Sequence, residues 1–268
     1  MMNRSIHGFR ISSILIGLLG LVGVGSVLAE PSPAAVTTFN TYINTIEARL
    51  AQQHRQASGF LDSAPGNEAP MRRGELIVER ITPSTAGSLP GAAIYHWRGT
   101  AFAPGAHAAD FERTMRDFAA YPHYYAPQVM QARVQMQNGD RMQAWMRVKQ
   151  KHVITVVLDT SYDVTFGRLD ALHGYSLSRS TRIAEIDAPG TSKERALNSS
   201  EEHGFLWRLN TYWRYEERDC GLYIQIESVT LTRSIPAGLG WAVGPFVESV
   251  PRESLEFTLR STVVALKR

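Results

Sequence analysis

From Pro127 to Arg233 the sequence alternates between apolar and polar residues with a period of two, interrupted by short turn signals. Such alternation is typical of antiparallel strands that bury one face. The clearest pair of strands is 204–216 and 221–233, which flank a predicted turn at Asp219-Cys220. A two-residue hairpin turn needs positive φ at both turn residues, and Asp-Gly is the usual choice. The pattern therefore predicts a hairpin with an unusual cysteine in its turn.

This turn fixes which residues face each other across the hairpin. On one face it pairs aromatic, aliphatic and small hydroxyl residues: Trp213 with Ile226, Tyr215 with Ile224, and Thr211 with Ser228. On the other face it pairs polar residues: Arg214 with Gln225, and Tyr212 with Glu227. The register predicts an antiparallel sheet with one buried side and one side facing water.

A second hairpin is predicted around Asn138-Gly139-Asp140. A three-residue loop keeps like residues opposite each other, pairing Met136 with Met142 and Ala132 with Met146. Further strands are predicted at 75–82, 92–102, 152–166 and 174–186. The polar stretch 187–203 is predicted to be an exposed loop.

Apolar residues at intervals of three and four predict helices at 36–55 and 108–120. The tail from Gly238 is also predicted to be helical, with an apolar stripe formed by Leu255, Leu259, Thr262, Val263 and Leu266. Because proline removes a backbone hydrogen bond, Pro245 and Pro251 should break its first part and leave a long final helix from Pro251.

The first 29 residues resemble a secretory signal peptide. Arg4 and Arg10 precede an uncharged apolar run, Ile11 to Ala29, and Val27-Leu28-Ala29 offers small residues at the cleavage point before Glu30. We expect export to the periplasm or the cell exterior. The alternative is an uncleaved anchor, since this run is just long enough to span a bilayer. The chain then divides into the signal at 1–29, a helix and linker at 30–73, and one domain at 74–268.

Composition excludes several classes of protein. The single cysteine excludes a disulfide scaffold. Removal of the signal leaves 26 of the 28 basic residues against 25 acidic ones, a net charge of +1. Without a dense basic run, we expect no nucleic-acid partner. We expect a monomer, and transient contact with a membrane stays open.

The order of elements is a helix, a strand pair, a helix, six antiparallel strands and a long terminal helix. With the segments Arg116–Val129 and Gly221–Arg233, this order over residues 92–266 resembles the START-like (SRPBCC) superfamily. In the first segment an Asp-aromatic pair precedes a Pro-x-Val that opens the sheet, and in the second the last strand leads into the lid helix. The resemblance implies an α+β helix-grip fold, with a curved antiparallel sheet of about six to eight strands around the terminal helix.

The resemblance also implies an apolar cavity between sheet and helix that holds a lipid, a sterol or an aromatic molecule. The predicted alternation would line it with residues of the last hairpin, and a strand and the terminal helix would add two aromatic residues. The predicted ligand-binding residues are Trp207, Leu209, Thr211, Trp213, Tyr215, Ile224, Ile226, Ser228, Tyr175 and Phe246. The face occupied by Tyr175 stays open. Core packing alone is the alternative for this aromatic set.

The sequence contains no H-E-x-x-H, G-x-S-x-G or P-loop motif, so we expect no cofactor and no metal. A group of arginines is predicted to form an outer-face ladder with Glu227, Glu216 and Glu185; turned inward, it could hold an anionic head group. These arginines are Arg179, Arg182, Arg208, Arg214 and Arg233. We therefore expect an exported, non-catalytic binding protein for a hydrophobic molecule. The alternatives are a cyclase or hydrolase using the same cavity, and an interaction module with a closed core.

Overall fold

The protein is built on one curved sheet of nine antiparallel strands, in the order β1-β2-β9-β8-β6-β5-β4-β3 with β7 beside β6. The computed structural model describes residues 30–62, 66–82, 89–151, 155–234 and 240–267. The strands are β1 Ile77–Ile81, β2 Ala92–Pro104, β3 Val129–Asn138, β4 Arg141–Lys151, β5 Thr155–Arg168, β6 His173–Asp187, β7 Arg195–Ala196, β8 Arg208–Arg218 and β9 Gly221–Arg233. The predicted α+β helix-grip fold is confirmed. The sheet has one strand more than the six to eight expected, namely the short β7, which lies within the predicted loop 187–203 and pairs with the end of β6.

In the described part of the chain, five α-helices accompany the sheet. They are α1 Pro33–Gln53, α2 Glu68–Arg72, α3 Ala108–Arg116, α4 Tyr121–Tyr124 and α5 Gly240–Ala265. The Ser32 side chain caps α1 by accepting a hydrogen bond from the Ala35 amide, and Pro33 fits the first turn because its missing N–H would have no partner there. The predicted helix at 108–120 ends at Arg116 and is followed by a 3-10 turn.

The predicted break in the terminal helix is wrong, because α5 runs through both Pro245 and Pro251 as one helix. A proline removes one backbone hydrogen bond and bends a helix, but packing along the rest of the helix can preserve it. In the second half of α5, Leu255 and Leu259 pack on β2 at Gly99, where an added Cβ would lie 2.5 Å from a Leu259 methyl carbon. The absence of a side chain at Gly99 therefore lets the helix approach the sheet closely.

The hairpin β8–β9 has the predicted turn and register. Asp219 and Cys220 both have φ of 59°. The paired residues are Trp213 with Ile226, Tyr215 with Ile224, and Thr211 with Ser228. Because antiparallel partners point to the same side, the hairpin separates its apolar residues from its charged ones.

The hairpin β3–β4 differs from the prediction. Its turn has two residues, Gly139 and Asp140, and Gly139 has φ of 57°. Met136 therefore lies opposite Gln143 rather than Met142, but Ala132 does face Met146 as predicted. A bulge between Val134 and Met136 absorbs the extra residue and restores the alternation. The tighter turn is favoured because glycine adopts positive φ without strain.

The two sides of the sheet are covered by different helices. We call the side that packs against α3 and the second half of α5 the inner face, and the side that packs against α1 the outer face. The prediction that one side of the sheet faces water is wrong, because α1 covers the predicted wet side of β8 and β9. Arg214 and Gln225 are fully buried there, and Glu227 is only 1% exposed.

Candidate functional site

The inner face has a closed half, which is fully packed. It consists of four predicted ligand-binding residues, Trp213, Tyr215, Ile224 and Ile226, all of them buried. The ring of Phe111 in α3 lies 5.5 Å from Trp213 and 5.0 Å from Tyr215, centroid to centroid, as in aromatic packing. The void beside Tyr215 has a volume of only about 10 Å³, which is room for about one water molecule.

The closed half also contains an acid. Glu112 of α3 lines the void with Tyr215 and accepts a hydrogen bond from its hydroxyl at 3.3 Å. Arg116, at 2.9 Å, and Arg168 both form ion pairs with the Glu112 carboxylate. Burial, with the Glu112 charge, raises the pKa of Tyr215 to about 12. A carboxylate held by two arginines beside a void of this size joins α3 to the sheet and leaves no room for a substrate.

The other half of the inner face, which we call the open half, is centred on one row of residues across four strands. Trp97 pairs with Ser228, Ser228 with Thr211, and Thr211 with Ser178. All four are half-buried, as is Leu209. Residues in the middle of a nine-stranded sheet are normally covered, and here α1 covers the other side. The exposure of this row therefore indicates an open concave space on the inner side.

Several polar atoms in and around the open half are buried without a hydrogen-bond partner among the described residues. On the sheet they are Trp97 Nε1, Thr230 Oγ1 and the Tyr162 hydroxyl, and on α5 the Ser254 hydroxyl is also buried and unpaired. Thr230 lies on β9, two residues beyond Ser228 and on the same face. Buried donors and acceptors are almost always paired, so an unpaired group needs an explanation such as an absent water or ligand. These atoms could bind a polar group of a molecule placed under α5.

The described residues of the predicted site lie in the open half, in the closed half and on the outer face. Leu209, Thr211 and Ser228 lie in the open half. The closed half holds Trp213, Tyr215, Ile224 and Ile226. Phe246 lies among the α5 side chains that are outside the described residues.

The remaining two predicted residues lie elsewhere. The placement of Trp207 on the helix-facing side is wrong, since it packs beneath α1. The alternation does not extend to this residue, because β8 begins only at Arg208. Tyr175, whose face the sequence left open, belongs to the outer face. Its ring stacks on His54 at the end of α1, with 3.6 Å between the centroids.

A second cluster, which the sequence did not reveal, lies under α1; we call it the buried charge network. Arg214 donates to Glu227 at 2.7 Å and to Asp62 at 2.8 Å, and His96 bridges Glu227 at 2.9 Å and the Tyr42 hydroxyl at 2.7 Å. Within the predicted outer-face ladder of arginines and glutamates, Arg214 pairs with Glu227, but beneath a helix rather than in water. The missed signal was in α1, whose polar residues Tyr42, Arg49 and Gln53 follow the same helical stripe as its apolar ones.

The buried charge network is electrostatically balanced. Burial alone would raise the pKa of Glu227, but the hydrogen bond from His96 and the charges of Arg214 and Arg49 lower it to about 2. Burial likewise opposes ionisation of Asp62, and the charges of Arg214, Arg98 and Arg49 lower its pKa to about 2. Both carboxylates therefore stay charged, and the network stabilises the docking of α1.

No family model matches the sequence, and no curated protein does either. Solved structures of similar topology include a STAR-related lipid transfer protein from Xanthomonas axonopodis, with 16% identity over 68% of this chain and 97% of that one, and a TM-score of 0.46. The Zhui aromatase/cyclase from Streptomyces sp. R1128 has 11% identity over 66% and 95%, with a TM-score of 0.45. A START superfamily protein from Mycobacterium smegmatis has 12% identity over 66% and 97%, with a TM-score of 0.40. The fold is START-like, as its strand order and terminal helix show directly.

Two further features bear on what the site can do. Among the described residues, no group of His, Cys, Asp and Glu side chains is arranged to hold a metal ion. In the same part of the chain, no helix combines the length and the apolar character needed to cross a membrane.

Proposed function

We propose that this protein binds a hydrophobic small molecule in the open half of the inner face, under α5, and carries out no reaction on it. The half-buried row of Trp97, Ser228, Thr211 and Ser178 carries the proposal, because it leaves space beside the central strands, where side chains are normally covered. Such sites are mostly apolar, with a few polar groups that orient the ligand. The named neighbours that transfer lipids or cyclise aromatic products are consistent with such a site, at the level of fold only.

The proposal includes export. The sequence at 1–29 has the basic start, the apolar run and the small residues of a cleaved signal, and these residues lie outside the described part of the chain. A protein that carries a hydrophobic molecule through an aqueous compartment needs to cover that molecule, and a space between sheet and helix does so. We propose that it acts there as a monomer, with transient membrane contact for loading.

An enzymatic role is the second candidate, and the structure offers it little support. General acid–base catalysis needs ionisable groups within reach of the substrate. The row that defines the open half contains only indole and hydroxyl side chains. Glu112, which lines the void in the closed half, is paired with two arginines, and that void is too small for a substrate.

The first experiment is native mass spectrometry of the mature protein starting at Glu30, followed by organic extraction of any co-purifying molecule. Binding is then measured with an uncharged solvatochromic dye. Thr211→Trp fills the open half and should reduce dye affinity by about tenfold or more, which corresponds to about 1.4 kcal/mol. The matched control is Val264→Trp, which adds the same indole at an exposed position of α5.

The control should bind the dye as the parent does, and thermal unfolding should show that both variants are folded. Equal dye affinity of Thr211→Trp and the parent would show that the open half is not the binding site. A parent protein that binds no hydrophobic probe and co-purifies with no small molecule would contradict the proposed function.

A further inference from the structure

The polar side chains of the open half are uncharged, unlike those on the outer face of the same strands. Its central row continues from Ser178 to Val164 on β5 and Met142 on β4. The next row contains Tyr95, Thr230, Leu209, Ser180, Tyr162 and Ala144, joined by backbone pairing except between Leu209 and Ser180, where the serine hydroxyl accepts from the Leu209 amide at 2.9 Å. Neither row contains a carboxylate, an amine, a guanidinium or an imidazole. Uncharged hydroxyl and indole groups supply all the side-chain polarity of these described rows.

The outer face of the same strands has the opposite character. Arg98 faces Glu227, and Glu227 faces Tyr212, within one row of the outer face. The guanidinium groups of Arg98 and Arg214 are bound there by Glu79, Asp62 and Glu227. No described guanidinium of these rows is therefore directed at the inner side, where an anionic head group would need it.

The unpaired atoms identify what a ligand has to supply. The Trp97 indole can only donate a hydrogen bond, so its buried Nε1 needs an acceptor. The Thr230 hydroxyl, buried and also unpaired, can donate or accept. One ligand oxygen could satisfy both, because these residues are diagonal neighbours on β2 and β9. An ionised oxygen would lose its water here without meeting an opposite charge, which is far more unfavourable than burying a neutral one.

From this we infer that the ligand's polar group is an uncharged oxygen acceptor, such as an ester or ketone carbonyl or an alcohol, bound by Trp97 Nε1 and the Thr230 hydroxyl. Ligands with an ionised carboxylate or phosphate would bind less tightly, because the described side chains of the two rows supply no counter-charge. The inference rests on the proposed function and adds the chemical class of the ligand to it.

The test compares ligands that share one long alkyl chain and differ only in the head: the methyl ester, the alcohol, the ionised acid and the unsubstituted hydrocarbon. Each is delivered from cyclodextrin at neutral pH and competes with the uncharged dye. The ester and the alcohol should bind at least about tenfold more tightly than the acid. Trp97→Phe, which keeps an aromatic ring but removes the donor, should weaken the ester by about fivefold to tenfold and leave the hydrocarbon unchanged.

Each outcome decides one of the two proposals. An acid that binds as tightly as the ester, or an unchanged ester affinity in Trp97→Phe, overturns the inference and leaves the proposed function in place. Loss of hydrocarbon and ester binding together in a folded Trp97→Phe means that the indole acts through its shape, which also overturns the inference. If none of the four ligands competes and the dye does not bind, the proposed function fails and the inference fails with it.

Discussion

The two faces of the central sheet are both buried, but by different chemistry. On the inner face, α5 and α3 pack apolar and aromatic side chains against Trp213 and Ile226. On the outer face, α1 packs an apolar stripe beside a network in which Arg214, Glu227 and His96 are almost completely buried. Strands β8 and β9 contribute to both sides in strict alternation.

The difference explains how the inner face can leave an open space around Thr211. Partial hydration of apolar and hydroxyl groups lowers the stability of the fold only slightly, so the inner face can stay unfilled around Thr211. A buried charge that loses a partner costs several kcal/mol. The buried charge network therefore has to keep all of its partners, and it supports the central strands behind the open half.

Removing one charge from the outer face should lower the stability of the protein most. Glu227→Ala should lower the free energy of unfolding by about 4 kcal/mol, because the buried Arg214 would keep only the partly exposed Asp62 as a counter-charge and His96 would lose its acceptor. Urea denaturation followed by far-UV circular dichroism measures this. Glu79→Ala is the matched control: this carboxylate is more exposed and contacts Arg98 at the rim, so the loss should be about 1 kcal/mol or less.

The apolar replacement of the pair sharpens the result. Arg214→Met with Glu227→Leu removes both charges together and should recover a large part of the loss seen in Glu227→Ala. A single variant that loses less than about 1 kcal/mol would mean that the network is hydrated, contrary to its burial.

Truncations on the inner face should distinguish its two halves. Trp213→Ala should cost about 3 kcal/mol, as truncation of a packed core tryptophan does. Leu209→Ala, in the open half, should cost only about 1 kcal/mol, because the side chain is half-buried and lacks neighbours on its free side. Equal losses at the two positions would contradict the division into a closed and an open half.

The pH dependence of stability should report on the outer face through His54. Burial, with the charges of Arg214 and Arg49, lowers the pKa of His54 to about 4 from its usual 6.5. The unfolded chain therefore binds a proton before the folded one, and the contribution of His54 to stability is complete above pH 6.5 and is lost as the pH falls towards 4.

The measurement compares the urea midpoints of the parent and His54→Phe between pH 6.5 and 5. Phe keeps a ring over Tyr175 and does not titrate. The stability of the parent should fall more steeply than that of the variant. Parallel curves would show that His54 has the same pKa in both states. In the folded protein Glu227 and Asp62 stay ionised throughout this window, and the parent and the variant carry the same carboxylates.

The smallest effect is expected at the hairpin turn that both faces share. Cys220→Gly should stabilise the protein by about 0.5–1 kcal/mol, because glycine adopts the observed φ of 59° without strain. Cys220→Ala, which keeps the Cβ, should leave the midpoint within error of the parent. A loss of stability in Cys220→Gly would indicate that the thiol itself makes a favourable contact.

The sequence predicted pairing and sidedness well, because both follow from the period of two. The β8–β9 register depends only on Asp219-Cys220 and the alternation around it, and all of its predicted pairs are present. The β3–β4 pairing was wrong at Met136, because a bulge changes the register without a clear mark in the sequence. Trp207 was misplaced because the alternation was extended beyond the start of the strand.

What covers each face could not be predicted in the same way. Alternation shows that Arg214 and Glu227 share a side, but not whether water or a helix from elsewhere in the chain lies over them. The partners of these residues in α1 are distant in sequence and are recognised only in three dimensions. The open half was hidden for the same reason, because Thr211 and Trp213 look alike in the pattern and differ only in what packs above them.

The docking of α1 also has a consequence for the order in which the chain can fold. Arg49 of α1 and Glu227 of β9 are 178 residues apart. The helix α1, which is synthesised early, therefore cannot complete its contacts until β9 has been synthesised. Contacts over such a distance close slowly, because the intervening chain loses entropy before they form. Arg214 and Glu227 cannot be buried until β8 and β9 have formed, so α1 cannot dock before then and the chain remains incompletely folded. For a protein that is exported as an unfolded chain, as proposed for this one, late docking of α1 would help to keep the chain unfolded until it has crossed the membrane.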